Sequence, residues 1–154
     1  MMMMRWDKGR ADIERMISAG DIQRVPASRD HADLLIGQAD QALASAADIA
    51  DRDPRLAYCA VYDASRLALT AILENQGLRP TTRGGHVAVY EAVQAQLDRP
   101  ELRPFNEMRR TRHLIEYPAT NVVLPDARDI HDAIPLAEAI IGIAEAVMDQ
   151  MDVF

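Results

Sequence analysis

The chain has 154 residues, of which 49% are hydrophobic and 27% are charged, and this composition predicts one globular domain with a sizeable core. Its net charge of −7 excludes nonspecific binding to long nucleic acids through bulk charge, so we expect no DNA partner. A local basic site is still compatible with that charge. Cys59 is the only cysteine, so no disulfide can form within the chain, and we expect it to be a small buried packing residue in a cytoplasmic protein.

The first part of the chain has helical periodicity and no strand-like alternation. Residues 10–19 are predicted to form a short helix that ends at Gly20. A linker is predicted over residues 22–27. Ser28 is then predicted to cap a long helix that continues to about residue 50.

The next helix is predicted to begin at Asp53 and Pro54 and to end at Gly77. Asp53 is a good N-cap residue, and Pro54 fits the first turn because the missing N–H is not needed there. Small side chains let helices approach closely, and the predicted inward stripe of this helix is Ala57, Ala60, Val61, Ala64, Leu67 or Ala68, and Ala71. We therefore expect this helix to lie in close contact with its neighbours.

The remaining elements follow the same periodicity. Residues 78–85 are predicted to be a loop, residues 86–97 a helix, and residues 104–117 a second helix. Asp126 is predicted to cap a last long helix that runs to about residue 151. Pro135 should kink that helix or mark its true start.

Together these elements predict an all-α fold, an up-and-down antiparallel bundle of four to five long helices with no sheet. Residues 1–24 are expected to form an N-terminal arm with a short helix, and residues 25–154 the bundle. The apolar stretches are too short and too interrupted to span a membrane, so we expect no membrane partner. No histidine pair has the spacing of metal ligands, so we expect neither a metal nor a cofactor.

Residues 108–118, with the sequence MRRTRHLIEYP, carry most of the candidate chemistry. An arginine fork binds phosphate or carboxylate through two hydrogen bonds and stays charged, and histidine can move a proton near pH 7. Such a set suits RNA binding, or RNA cleavage without metal, although a solvated helix end is the alternative interpretation. The candidate RNA- or anion-binding residues are Arg109, Arg110, Arg112, Glu116 and Tyr117, and the catalytic candidates, if the protein is active, are Arg110, Arg112 and His113.

Helical spacing sorts the side chains of this segment into faces. Arg109, Arg112 and Glu116 share one face with His113, and Arg112 and Glu116 are four residues apart, so they are expected to pair. Ile115 continues an apolar stripe that starts earlier in the helix. Arg112 should therefore lie at the edge of the packed surface.

The order of the helices and two segments together resemble the HEPN domain family. The segments are residues 57–80, with the sequence YDASR at 62–66, and residues 110–117, and the resemblance covers roughly residues 28–151. It implies a helical bundle, often a homodimer, that serves in toxin–antitoxin, antiviral or RNA-processing systems. Active members of the family are metal-independent ribonucleases. In members paired with a nucleotidyltransferase antitoxin, a tyrosine is implied to accept AMP.

Carried over position by position, the family signature falls on residues 110–117. Arg110 takes the signature arginine and Tyr117 the tyrosine, but the signature histidine falls on Ile115, and isoleucine cannot transfer a proton. His113 lies two residues earlier, which turns it by about 200° around a helix. The resemblance therefore implies binding with degenerate catalysis.

Three hypotheses about function are compatible with the sequence. The first is a HEPN-like module that binds RNA or a partner protein in a toxin–antitoxin or defence system. The second is an active ribonuclease toxin, and the third is a structural helical adaptor. The missing signature histidine favours the first over the second. The expected partners are a second copy of the chain, RNA and, as the resemblance implies, a nucleotidyltransferase-type antitoxin.

Two other features of the sequence carry expectations. Arg66 lies within an alanine-rich stretch and needs a partner if it is buried, and Asp63 is the natural one. His86 follows Gly84 and Gly85 at a predicted helix start. It could belong to a small anion-binding turn, but a flexible loop is the favoured interpretation.

Overall fold

A computed structural model describes residues 6–154, so residues 1–5 of the expected N-terminal arm lie outside the described residues. The described part is 70% helical with little strand, which confirms the predicted all-α bundle. Its helices are α1 (Arg10–Ala19), α2 (Arg29–Ile49), α3 (Pro54–Gln76), α4 (Gly85–Leu97), α5 (Pro104–Glu116) and α6 (Ala127–Met148), with a 3₁₀ turn at Pro100–Leu102. The strands are β1 (Ile22–Arg24) and β2 (Leu78–Pro80).

Side-chain caps fix the starts of the three long helices. The Ser28 hydroxyl accepts a hydrogen bond from the backbone N–H of His31, at 3.1 Å, and the Asp53 carboxylate accepts one from the third residue of α3. Asp126 and Asp129 form a reciprocal capping box at the start of α6. The three predicted N-caps are thus confirmed, because capping depends on residues only three positions apart.

Helix α3 lies at the centre of the bundle and contacts α2, α4, α5 and α6. Its small side chains are fully buried, and so are those that α2 turns toward the core: Ala32, Ala39, Ala46, Ala57, Ala64, Ala68 and Ala71. The predicted close helix contact is confirmed. Within the described residues, α3 alone is long and apolar enough to cross a membrane, but 61% of its most apolar stretch is buried, as in the core helix of a bundle.

The expectation that the bundle would contain no sheet is wrong at one place. β1 and β2 pair as a two-stranded antiparallel ribbon, in which Ile22 lies opposite Pro80 and Arg24 opposite Leu78. Each strand has three residues, which is too short for alternation to appear in the sequence. Ile22 and Leu78 are 1% and 0% exposed, so burial and long-range pairing, and not local propensity, create the ribbon.

The turn that follows β2 is tied to the rest of the protein. The Thr81 hydroxyl donates to the Gly20 carbonyl at 2.6 Å, and the Thr81 N–H donates to the Asp21 carbonyl at 3.0 Å. Gly84 packs so closely here that an added Cβ would lie 2.3 Å from the Asp21 carbonyl oxygen. The favoured interpretation of a flexible loop is therefore replaced by an anchored turn, and this turn fixes where His86 begins α4.

The last helix and the C-terminus close the bundle. α6 begins at Ala127, so Pro135 lies inside the helix and does not mark its start, and the helix ends at Met148, earlier than expected. The backbone N–H of Phe154 donates to the Gln76 carbonyl at 2.9 Å. The guanidinium groups of Arg10 and Arg24 lie over the Phe154 ring. These contacts tie the C-terminus to the N-terminal elements.

Candidate anion-binding groove

Helix α5 separates its apolar side chains from its charged ones. Phe105, Met108 and Ile115 are 0%, 2% and 5% exposed, so one side of the helix belongs to the core. The arginines and the histidine occupy the remaining surface. Arg112 is half-buried at the boundary between the two, as the apolar stripe predicts.

A groove of ≈480 Å³ runs along the charged side of α5, between this helix and the start of α4. Helix α5 and its cap supply Arg109, Arg112, His113, Glu116 and Tyr117. Tyr62 of α3 and His86 of α4 complete the polar lining, beside Gly85 and Val87. Five of the six predicted site residues are thus brought together.

Arg110 is the predicted site residue that does not line the groove. It is exposed, one position and about 100° around the helix from Arg109. The helix presents to α4 the face that carries Arg109 and Arg112, so the neighbouring face with Arg110 points elsewhere. Within residues 6–154, the Arg110 side chain makes no hydrogen bond or ion pair.

Arg112 is held in position by two neighbours. Its guanidinium donates a hydrogen bond to the Glu116 carboxylate at 2.5 Å, which confirms the predicted pairing. The same guanidinium lies 5.6 Å from the centre of the Tyr62 ring. Both contacts reduce the side-chain entropy that a ligand would otherwise have to overcome.

Tyr62 and His86 form a pair that the sequence-based site did not include. The Tyr62 hydroxyl and His86 Nδ1 are 2.5 Å apart, and the Tyr62 ring, 0% exposed, stacks on Phe105 with centroids 5.3 Å apart. Burial raises the pKa of Tyr62 to about 12, so the phenol is protonated at neutral pH. Because a protonated phenol can donate or accept, the pair occupies Nδ1 in either tautomer of His86 and leaves Nε2 for a ligand.

The imidazole of His86 is kept neutral by its surroundings. Burial lowers its pKa below the ordinary value of 6.5, and the positive charges of Arg66 and Arg112 lower it further. Asp63 and Glu116 oppose this effect more weakly. His86 is thus a neutral side chain at pH 7 that Tyr62 holds through Nδ1. Its signal in the sequence was its position directly after two glycines, where the chain can approach another element.

His113 and Tyr117 lie at the open end of the groove. Both are exposed, Tyr117 by 65%, and their rings are 5.0 Å apart and tilted by 46°. Neither has a buried partner that fixes its orientation. Their accessibility makes them suited to contact a ligand that enters from solvent.

The side chain at the position of the signature histidine does not face the groove. Ile115 is 5% exposed and belongs to the core of the bundle. A histidine there would be buried among apolar side chains and would not reach a groove ligand. A proton carrier at position 115 would therefore need another orientation as well as another residue type.

Two predictions about residues beside the groove, the pairing of Arg66 and the burial of Cys59, are partly confirmed. Asp63 is the partner of Arg66, as predicted, but at 3.5 Å the contact is long. Cys59 packs against the core but is only half-buried, and burial raises the pKa of its thiol.

Among residues 6–154, no group of three or more His, Cys, Asp or Glu side chains could hold a metal ion.

A second surface lies on the opposite side of α5. It surrounds a cavity of ≈320 Å³ between α5, α6 and the connection that joins them, with Tyr58 and Thr111 in its wall. Its exposed apolar side chains, called the apolar surface below, are Leu114 (41%), Val123 (94%), Leu124 (37%) and Leu136 (44%). Such a concentration is typical of a protein-binding surface.

An all-α bundle with a basic groove beside its fifth helix defines the class of protein. The model of the HEPN domain matches residues 32–147, which is most of the chain, and the chain belongs to the HEPN domain family. The searches of curated proteins and of solved structures gave no match. The family membership rests on helices α2 to α6, which also carry the groove.

Proposed function

We propose that this protein is an RNA-binding HEPN module of a toxin–antitoxin or defence system, and that the groove between α4 and α5 is its RNA site. The observation that carries the proposal is the convergence of Arg109, Arg112, His113 and His86 on one groove. Phosphodiester oxygens are the ligands that such donors recognise.

The local charge of the groove supports RNA binding, although the net charge of the whole chain is negative. The net charge is −7, but the groove contains two arginines and one glutamate. That glutamate, Glu116, is already paired with Arg112. A short or single-stranded RNA can reach this region without approaching the acidic remainder closely, whereas a long duplex would be repelled.

We propose that catalysis is weak or absent. The residue that takes the place of the signature histidine in the resemblance, Ile115, lies in the core, and its side chain cannot transfer a proton. Binding without efficient cleavage follows from this arrangement.

The test is binding of a fluorescent single-stranded RNA, measured by anisotropy at low salt. Arg112→Ala and Arg109→Ala should each weaken binding by about 1–3 kcal/mol, because each removes a charge-assisted contact. Arg110→Ala is the matched control, since it removes the same charge from the same helix outside the groove. Equal losses of RNA affinity for all three variants would indicate that binding depends on overall charge and not on the groove. No binding by the natural protein would leave only the adaptor hypothesis.

Active metal-independent cleavage is the second candidate, and the exposure of His113 beside Arg109 and Arg112 is what favours it. In that mechanism the arginines hold the scissile phosphate, the 2′-oxygen attacks phosphorus as the bond to the 5′-oxygen breaks, and His113 moves the proton. The products would be a cyclic phosphate end and a 5′-hydroxyl end. Robust cleavage by the natural protein that His113→Ala abolishes would establish this function in place of simple binding.

We further propose that the protein is a homodimer that associates through the apolar surface. This surface shares α5 with the groove, so the interface would lie beside the Arg109 to Tyr117 segment. Leu136→Glu should shift the chain toward monomer in sedimentation velocity at tens of micromolar, roughly the range of weak dimers. Leu34→Glu on α2, where Leu34 is 57% exposed, is the matched control and should leave the dimer intact. A natural protein that is monomeric at these concentrations would count against the proposal.

The exposed hydroxyl of Tyr117 supports one further element of the proposal, a nucleotidyltransferase-type antitoxin as partner. Tyr117 matches the family position that accepts AMP, and its 65% exposure leaves the hydroxyl accessible to a second protein. AMP attached there would place a bulky anion at the mouth of the groove. We therefore expect AMP attachment to Tyr117 to weaken RNA binding, and Tyr117→Phe to prevent it, with mass spectrometry of the co-expressed pair as the measurement.

A further inference from the structure

A second cavity, of ≈490 Å³, lies directly beside the groove and shares two residues with it, Gly85 and His86. Its other polar lining comes from the second half of α3, from β2 and from the anchored turn: Arg66, Thr70, Glu74, Arg79, Thr81 and Thr82. His86 therefore stands between two cavities, with an arginine-bearing wall on each side.

Arg66 has unused hydrogen-bonding capacity in this cavity. Its Nε atom is buried and has no hydrogen-bond partner within residues 6–154, and its contact with Asp63 is 3.5 Å long. Buried polar atoms are seldom left unpaired, because the lost hydration costs free energy. An anion in the cavity would supply the missing acceptor.

The remaining charges of the cavity are already paired with each other. Arg79 donates two hydrogen bonds to the carboxylate of Glu74, at 2.6 and 3.2 Å. This ion pair offsets the charge of Glu74, so that Glu74 does not repel an incoming anion strongly. Arg66 is then the remaining positive charge of the lining, because its partner Asp63 lies at 3.5 Å, outside the cavity lining and half-exposed. The groove likewise has one positive charge in excess, because Glu116 neutralises one of its two arginines.

We propose that the Arg66 cavity is a second phosphate subsite, so that a single RNA strand crosses His86 and places neighbouring phosphates in the two cavities. This inference rests on the proposed function, because it assigns the groove to RNA. His86 lines both cavities, and its Nε2 is left for a ligand because Tyr62 occupies Nδ1. Arg66 binds one phosphate, and Arg109 with Arg112 binds the next.

The test compares a dinucleoside monophosphate, which has one phosphodiester, with an eight-nucleotide RNA that can fill both subsites. Binding is followed by NMR titration for the short ligand and by anisotropy for the long one. Arg66→Gln should weaken binding of the long RNA roughly ten-fold and leave the short ligand unchanged, because the short ligand occupies the groove with two arginines. The salt slope for the long RNA should fall by about 0.7, as one phosphate contact is lost.

A second variant keeps the test valid if Arg66→Gln unfolds the protein. Thr82 is exposed in the anchored turn and lines the cavity, so Thr82→Glu adds a repelling charge with little effect on packing. Thr120→Glu is its matched control, because it adds the same charge at an exposed threonine outside both cavities. Thr82→Glu should weaken binding of the long RNA several-fold more than Thr120→Glu does.

The outcomes separate this inference from the proposed function. If Arg112→Ala weakens RNA binding while Arg66→Gln and Thr82→Glu bind the long RNA like the natural protein, the second subsite is overturned and the groove stands. If the natural protein binds neither ligand, both fail. A loss confined to the long RNA in the Arg66 and Thr82 variants supports the second subsite.

Discussion

Two regions of the molecule differ in the kind of side chain they contain: the contact between α2 and α3, and the groove between α4 and α5. Between α2 and α3, the facing side chains are small, apolar and fully buried, with Ala39 and Ala64 both 0% exposed. In the groove, the side chains are long and charged, and they keep access to solvent. The first region contributes packing, and the second presents hydrogen-bond donors.

The difference indicates where stability and function reside in this molecule. Closely packed small side chains tolerate little change of volume, since protein interiors are as dense as organic crystals. The surface ion pairs and the ring contacts of the groove contribute little to stability by comparison. Variants of the groove should therefore change binding without unfolding the protein, whereas variants of the core should do the reverse.

The largest effect is expected where the two regions meet on α5. Ile115→His would place an imidazole in the core, and it should lower the free energy of unfolding by about 3 kcal/mol through lost packing and an unpaired polar group. Leu114→His is the control, because Leu114 is 41% exposed one position away. Urea denaturation measures the free energy of unfolding of both variants. An Ile115→His protein as stable as the natural one, with new ribonuclease activity, would show that position 115 reaches the groove after all.

A smaller loss is expected from overpacking on α2. Ala39→Leu should lower the free energy of unfolding by about 2 kcal/mol, because the fully buried site has no room for the larger side chain. RNA affinity of the folded fraction should be unchanged. Ala44→Leu, at an exposed position of the same helix, should have an effect near zero. Equal free energies of unfolding for the two variants would indicate that α2 packs more loosely than its buried alanines imply.

Alkaline titration probes the buried end of the groove. The pKa of Tyr62 is raised to about 12 from an ordinary value of 10, so the protonated phenol stabilises the fold fully below pH 10. That contribution is lost as the pH rises toward 12, when the unfolded chain releases the proton more readily. Ultraviolet titration of the natural protein should show a late-titrating tyrosine that Tyr62→Phe removes. Titration of every tyrosine near pH 10 would contradict the burial of the Tyr62 phenol.

The smallest expected effect is in the mildly acidic range. His86 has a pKa below 6.5 in the fold, so the unfolded chain binds the proton more readily between that lowered value and pH 6.5. The stability that neutral His86 contributes is present above pH 6.5 and is lost as the pH falls. NMR titration should show His86 with a lowered pKa, and Arg112→Ala should raise it by removing a nearby positive charge. An unchanged pKa in that variant would place Arg112 farther from His86 than the shared groove requires.

The sequence by itself determined the features that depend on near neighbours. The caps at Ser28, Asp53 and Asp126 involve residues three positions apart, and the Arg112–Glu116 pair spans one helical turn. Alanine stripes and the apolar side of α5 follow from helical periodicity, so the bundle and the orientation of Ile115 were predictable. These interactions are fixed once the local backbone is helical.

Only the tertiary structure decided which separated residues meet. β1 and β2 pair across the whole of α2 and α3, and their three-residue strands have no detectable pattern of their own. His86 joins Tyr62 because the turn before α4 is anchored on Asp21, which lies far away in the sequence. The packing of α5 against α4 likewise selected the face with Arg112 over the face with Arg110. Such choices depend on the summed burial of the whole bundle, and no local pattern contains that sum.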